Sequence, residues 1–530
     1  MTRTTTPHEV RDALLGKREI ALLDVREEDP FAQEHPLFAA HLSLSRIELD
    51  IFNRIPRRDT QIVIYDDGEG LAARAAQKIE ELGYSDVSLL DQGLQGWKDA
   101  GYEIFRDVNV PSKAFGELVE ARRHTPSLSA GEVQALLDKK TKLVVLDARP
   151  FEEYHTMSIP TGINVPGGEL VYRVGDMAPE PETIVIINCA GRTRSLIGAQ
   201  SLVNAGVSNP VYALRNGTIG WTLARQQLEH GQERKFGDVN PEKARDAALA
   251  ARSLAERAGV RHISHAEFGA LSAVPSRTTY RFDVRTKEEY EAAHLDGFRH
   301  APGGQLVQET DVYAPVQGSL IVLVDDDGVR ANMTASWLAQ MNREVCVLVS
   351  GLSEGAIAHG PEKPNGAPAP AVVEISPQAL HTLLQDNLQA QQIAVIDVAP
   401  NAAYAKGHIP GAWFAIRSDL PEAIKKLPAN IHSYVAVCRT SALSRFVAPE
   451  LAALTGKPVS VLTGGTFGWA EAGFDVEQGN MRLASPLIDR YRRPYEGTDN
   501  PESAMQAYLD WEFGLVEQLE RDGTHGFFVI

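Results

Sequence analysis

This sequence predicts an α/β fold built from four tandem units, each a small parallel sheet with helices on both faces, followed by a C-terminal helical tail. Three observations carry the prediction. Four short apolar runs end in an aspartate, at Asp24, Asp147, Asp283 and Asp397. Four β-branched runs then end in a polar loop that opens at Asp66, Cys189, Asp325 and Cys438. A glycine follows each loop, at Gly93, Gly217, Gly351 and Gly465, and three of these open a Gly-x-x-Gly-Trp that closes at Trp97, Trp221 and Trp469. The distance from aspartate to loop agrees to within one residue in all four copies. Landmarks held in step this way mark a tandem array.

Each element has its own signal. After the loops, apolar residues at helical spacing predict helices over 71–82, 196–205, 333–341 and 446–454. Further strands are predicted at 87–90, 211–214, 345–349 and 459–462. Continuous Val/Ile/Leu strands alternating with helices imply a parallel sheet covered on both faces. The polar loop then lies between a strand's carboxyl end and the next helix, where such sheets present ligand sites. The expected units are 1–112, 125–237, 261–360 and 371–484. Residues 238–260 read as a helical linker with Asn240 as N-cap and Pro241 in the first helical position. Residues 361–370, rich in Pro, Gly and Ala, read as an extended linker. Residues 485–530 fit no repeat and carry Tyr491, Tyr495, Tyr508, Trp511, Phe513, Phe527 and Phe528, with one helix predicted over 501–520. So aromatic a tail is expected to be docked, with a homo-oligomer interface as the alternative. Units 2 and 3 share Pro-Gly-Gly-x-Leu-Val, at Pro166 and Pro302, and are expected to pack as a pseudo-symmetric pair.

Composition bounds the function. The 530 residues are 43% hydrophobic and 23% charged, which is ordinary for a globular chain. Three cysteines exclude a disulfide framework or a Cys-rich zinc module. A net charge of -18 argues against nucleic acid or an anionic membrane as the main partner. No apolar leader or spanning run is present, so a cytoplasmic setting is expected. The histidines lack metal-ligand spacing, and neither metal nor cofactor is expected.

The loops carry the chemistry. Unit 2 reads Cys189-Ala190-Gly191-Arg192-Thr193-Arg194-Ser195, and a helix follows. A thiol there is favoured as thiolate by the helix N-terminus, by inward N–H groups and by guanidinium groups, so a lowered pKa is expected. Arg192 and Arg194 are expected to pair with an anion held over the sulfur. Unit 4 offers Cys438 but has Leu443 in the place of Arg194 and Ala399 in the place of Arg149. Cys438 is therefore carried as a second site of open activity. Asp66 and Asp325 cannot act as sulfur nucleophiles, and units 1 and 3 are expected to be inactive. Cys346 lies in a strand pattern and reads as core, and the three tryptophans read as packing anchors.

Asp147-Ala-Arg149 with Glu153-Tyr154, the Cys-x-x-x-x-Arg-Ser loop and the closing Gly-x-x-Gly-Trp together resemble rhodanese domains, the sulfurtransferases that carry sulfur as a cysteine persulfide. The resemblance covers about nine-tenths of the chain. It implies double displacement: Cys189 takes the outer sulfur of thiosulfate and yields it to a thiol or cyanide. It further implies that Arg194 and the loop N–H groups stabilise the persulfide, that Arg149 braces the loop, and that Arg173 reaches the donor. Two arginines suit dianionic thiosulfate; mercaptopyruvate is the alternative donor, and a persulfide relay loaded by a partner protein is the rival function. The Cys189–Arg194 spacing is one residue short of the Cys-x5-Arg loop of related phosphatases.

Overall fold

The computed structural model describes residues 3–386 and 392–530; Met1 and Thr2 of the first expected unit and residues 387–391 of the fourth lie outside the described residues. Each unit holds a five-stranded parallel sheet, and all four are wound alike. With the strands of each such sheet counted in chain order, it runs first, fifth, fourth, second, third, and unit 3 adds an antiparallel pair, His294–Leu295 with Ile357–Ala358. In unit 2 the strands are Ser127–Leu128, Leu143–Asp147, Ile163–Asn164, Ile184–Asn188 and Val211–Leu214. The fourth strand is central and lies beside the second, where the winding reverses, and ligands of open α/β sheets bind at that crevice. Asp147 is in register with Asn188, so the first landmark sits beside the residue that precedes Cys189.

The glycine landmark follows from close approach. Gly93, Gly217, Gly351 and Gly465 all have positive φ, and a Cβ on each would stand 2.0 to 2.8 Å from the carbonyl oxygen of Asp66, Cys189, Asp325 or Cys438. Glycine alone lets the next helix close onto the loop. In unit 2, the N–H groups of Thr218 and Ile219 then donate to the Cys189 and Ala190 carbonyls at 2.9 and 3.0 Å. The tryptophans are buried anchors, each donating Nε1 to a carbonyl six residues on, at Glu103, Gln227 and Asp475.

The helix after the loop is Leu71–Glu81 in unit 1, close to expectation. In the other units it begins earlier than periodicity predicts, at Thr193, Arg330 and Ala442. Those first turns are made of loop residues and lack a side-chain cap, so neither standard signal is present. The linker helix Pro241–Arg257 is capped by Asn240 as predicted. A helix over Val110–Arg123 was not anticipated; it fills the expected gap between units 1 and 2, and Pro111 near its start was the available signal. The tail forms two helices rather than one, Glu502–Phe513 and Leu515–Asp522, parted at Gly514.

Units 1 and 3 share one apolar core that includes Leu23, Ile64, Phe282 and Leu323. Unit 2 packs on unit 3 and unit 4 on unit 1, both through the same position of the fold. A Cβ on Gly168 would stand 2.9 Å from the Gly304 nitrogen, and the reverse distance is also 2.9 Å. Ser45 and Ser418 occupy the matching places: the Ser418 N–H donates to Ser45 Oγ at 3.1 Å, and both hydroxyls donate to Glu27 Oε1, at 2.6 and 2.7 Å. Arg330 crosses the first contact to Glu169 at 3.0 Å, and Arg417 crosses the second to Glu48 at 2.8 and 2.7 Å. The expected pairing of units 2 and 3 is present, and units 1 and 4 repeat it. Among the described residues, no helix is long and apolar enough to cross a membrane.

Candidate active site

Cys189 stands between the central strand Ile184–Asn188 and the helix Thr193–Asn204. It is 1% exposed, and its Sγ lies 3.4 Å from Ser195 Oγ. The Ser195 hydroxyl donates to the Arg192 carbonyl at 2.8 Å, which leaves its oxygen free to accept from the thiol. The first N–H groups of the helix have no intrahelical acceptor and favour negative charge beside them. Burial nevertheless pushes the Cys189 thiol up; Arg194 and the Ser195 hydroxyl and N–H pull it back only in part. The expected lowering is thus reversed, because loss of hydration outweighs one nearby guanidinium.

The two loop arginines part company. Arg194 is the one that acts on the sulfur, and Glu153 holds its guanidinium with two bonds of 2.8 Å. Burial works the other way, but Arg194 holds the Glu153 carboxyl below its ordinary range. Arg192 turns outward: it donates to Glu117 at 2.7 and 2.8 Å, to Glu120 and to Asn216, and stacks over the Phe513 ring. Arg149 grips Asp147 at 2.8 and 2.7 Å and the Met157 carbonyl at 2.6 Å. Asn188 donates to the same Asp147 at 2.7 Å, so Arg149 reaches the loop through these two residues. Arg173 is tied to Glu169 at 2.6 Å and to the Gly237 carbonyl at 2.9 Å. It shares with Thr193 and Arg194 the wall of a cavity of about 820 Å³ between units 2 and 3, opposite Arg285 and Gln308. The Ala190 carbonyl also accepts from Thr218 Oγ1 at 3.1 Å.

A family model for the rhodanese-like domain matches residues 6–100, 129–224, 271–358 and 380–472. The chain belongs to the rhodanese-like family. A crystal structure of thiosulfate sulfurtransferase from Pseudomonas aeruginosa is 61% identical, covers 100% of both chains and superposes with a TM-score of 0.97. The thiosulfate sulfurtransferase GlpE of Coxiella burnetii is 28% identical over 85 residues, 16% of this chain and 78% of that protein.

The other three rhodanese units differ at the loop. Cys438 is 5% exposed and lies 3.6 Å from Ser444 Oγ. Its neighbouring arginines face elsewhere: Arg445 pairs with Glu374, and Arg439 stacks over Phe467. Without an arginine at position 399, burial pushes Asp397 up to about 7, and its Oδ2 has no partner among the described residues. Asp24 and Asp283 keep their arginines, Arg26 and Arg285. In units 1 and 3 the loop aspartate closes on its own backbone. Asp66 accepts from the N–H groups of Gly68 and Ala72 at 3.1 and 2.9 Å, and Asp325 from Gly328 and Ala331 at 3.1 and 2.8 Å. Ala72 and Ala331 match Ser195, whose N–H faces the sulfur in unit 2. Unit 3 also repeats the Glu153–Arg194 pair as Glu289–Arg330, at 2.6 and 3.1 Å. That pair is therefore part of the loop framework, with or without a thiol.

The tail is docked, as its composition predicted, and it supplies groups the repeat pattern could not reveal. Tyr495, Tyr508 and Trp511 surround the Lys113 ammonium at 5.4, 5.2 and 5.6 Å from their ring centres. Lys113 is buried in the helix Val110–Arg123 and pairs with Asp107 at 2.6 Å. That helix also carries the partners of Arg192.

Proposed function

We propose that this protein is a thiosulfate sulfurtransferase in which Cys189 of unit 2 carries the sulfur. The Cys189 thiolate attacks the outer sulfur of thiosulfate, the donor's S–S bond breaks, and sulfite leaves with the bonding pair. An acceptor thiolate or cyanide then attacks the outer sulfur and the Cys189 thiolate is released. The observation that carries this reading is the Cys189 loop: a thiol at a helix N-terminus, 3.4 Å from the Ser195 hydroxyl, with Arg194 acting on it. Helix N–H groups and Arg194 suit the persulfide anion and the departing sulfite, as preorganised donors do at an oxyanion. The thiosulfate sulfurtransferase from Pseudomonas aeruginosa lends support across the whole chain. Cys438, whose own loop arginines face elsewhere and which feels only the charge of Arg46 from unit 1, is read as the weaker sulfur acceptor, and units 1 and 3 as scaffold. A free catalytic thiol suits a reducing compartment, the cytoplasm.

The test is intact mass and non-reducing peptide mapping after brief exposure to thiosulfate. One added sulfur is expected on the Cys189 peptide, lost in Cys189→Ser and kept in Cys438→Ser. Loading by mercaptopyruvate alone would replace the donor, and loading by neither would refute the reading.

A further inference from the structure

The helix Glu502–Phe513 lies across the Cys189 loop. A Cβ built on Gly191 would stand 3.1 Å from Tyr508 Cε1 and 3.5 Å from Glu512 Oε2, so both side chains press on the loop. Glu512 is 0% exposed. Its Oε1 accepts from the Tyr508 hydroxyl at 2.8 Å, while Oε2 has no hydrogen-bond partner among the described residues. An unsatisfied buried carboxyl oxygen is uncommon, and this one faces the loop of a thiol that already feels its field.

We propose that Glu512 is a specificity-determining residue of the Cys189 site: its Oε2, carrying the proton, donates to the anionic sulfur donor over Cys189, and loss of that proton turns the donor away. The proposal rests on the thiosulfate reading above and adds a group from outside the repeats. The surroundings support it. Burial, and then Glu117 from the helix Val110–Arg123, push the Glu512 carboxyl up; Lys113 from that helix, Tyr508 from its own, and Arg192 from the loop pull it down, and the balance stands at about 8. Both nearby cations already have a carboxylate partner, Lys113 in Asp107 and Arg192 in Glu117 and Glu120. Tyr495 of the tail packs edge-on against Tyr508. A neutral acid there donates a hydrogen bond; a carboxylate there repels a dianion in a dry site, where charge repulsion is strong.

The experiment is the rate of persulfide formation on the full chain with thiosulfate, read by quenched intact mass between pH 6 and 10, for the unaltered protein and Glu512→Gln. Glutamine keeps the shape and a donor but cannot ionise. The ratio of variant to unaltered rate is expected to hold constant below about pH 8 and to grow about tenfold per pH unit above it, whatever the thiol's own titration. Tyr508→Phe supplies a second reading: removing the donor to Oε1 disfavours the carboxylate and moves the break in the unaltered profile to higher pH. A flat ratio overturns the proposal. Where Glu512→Gln fails to fold, a break that does not move in Tyr508→Phe overturns it. No loading of the unaltered protein at any pH overturns the parent reading, whereas loading with a flat ratio overturns this inference alone.

Discussion

Replacing Gly168 by alanine should separate units 2 and 3. The new methyl would stand 2.9 Å from the Gly304 nitrogen and 3.3 Å from the Gly303 Cα. Comfortable contact begins at about 3.5 Å, so the overlap is roughly half an ångström against backbone, which has no rotamer to change. Relief requires the two units to move apart, and overfilling a packed contact costs about 1–3 kcal/mol. The matching place in units 1 and 4 tolerates Ser45 and Ser418 because both hydroxyls donate to Glu27. Unit 2 has Pro150 where unit 1 has Glu27, so no such acceptor awaits a side chain. The assay is urea unfolding, reading the first transition because a chain of several units does not unfold in one step. With a slope of about 2 kcal/mol/M, a loss near 2 kcal/mol lowers that midpoint by about 1 M. Faster proteolysis within the linker helix Pro241–Arg257 should accompany it. An unchanged first midpoint with unchanged proteolysis would refute the claim that the Gly168–Gly304 contact joins these units.

Two further outcomes follow from the loops. Arg194→Gln should lower kcat/KM for thiosulfate about 10²–10³-fold, the effect of losing one preorganised donor, while Arg192→Gln, whose partners are Glu117 and Glu120, should act mainly on unfolding; steady-state kinetics beside thermal melts would separate them, and equal kinetic losses would count against the assignment. Asp397 holds its proton more tightly folded than unfolded, rising from 3.8 to about 7, so stability should fall as pH rises from about 4 to 7, by up to about 4 kcal/mol. Asp397→Asn should lessen that slope in urea melts across the range, Asp311 retaining its own share, and an equal slope in both proteins would refute it.

The fold was legible because the chain supplies its own comparison: four copies of Asp, loop and glycine expose a period that one copy would hide. The distinct loop of unit 2 was legible for the same reason, since Cys189 stands where two other copies place aspartate. What escaped depends on parts that do not repeat. Arg192 was expected over the sulfur, but its carboxylates lie on Val110–Arg123, a helix read as a boundary. The thiol was expected to be acidic, yet it is buried, and a tail for which no sequence period speaks packs on its loop at Gly191. Glu153 as the partner of Arg194 was within reach, because Glu289 and Arg330 hold the same two places in unit 3.

The spatial arrangement gives the thiol-less units a physical role. Each unit with a loop cysteine meets one with a loop aspartate through the same turn, 2 with 3 and 4 with 1, and the two loop-aspartate units share a core. Between units 2 and 3 the second unit supplies part of the wall of one cavity, with Arg285 and Gln308 lining it together with Arg194. A wall of this kind gains from a loop that binds nothing itself. Asp66 and Asp325 achieve that by accepting their own loop N–H groups, which leaves those donors unavailable to an outside anion and ties the loop shut. In units 1 and 3 the loop aspartate thus supplies an internal anion where the proposed function has Cys189 receive an external one, and the loop keeps its shape without a ligand.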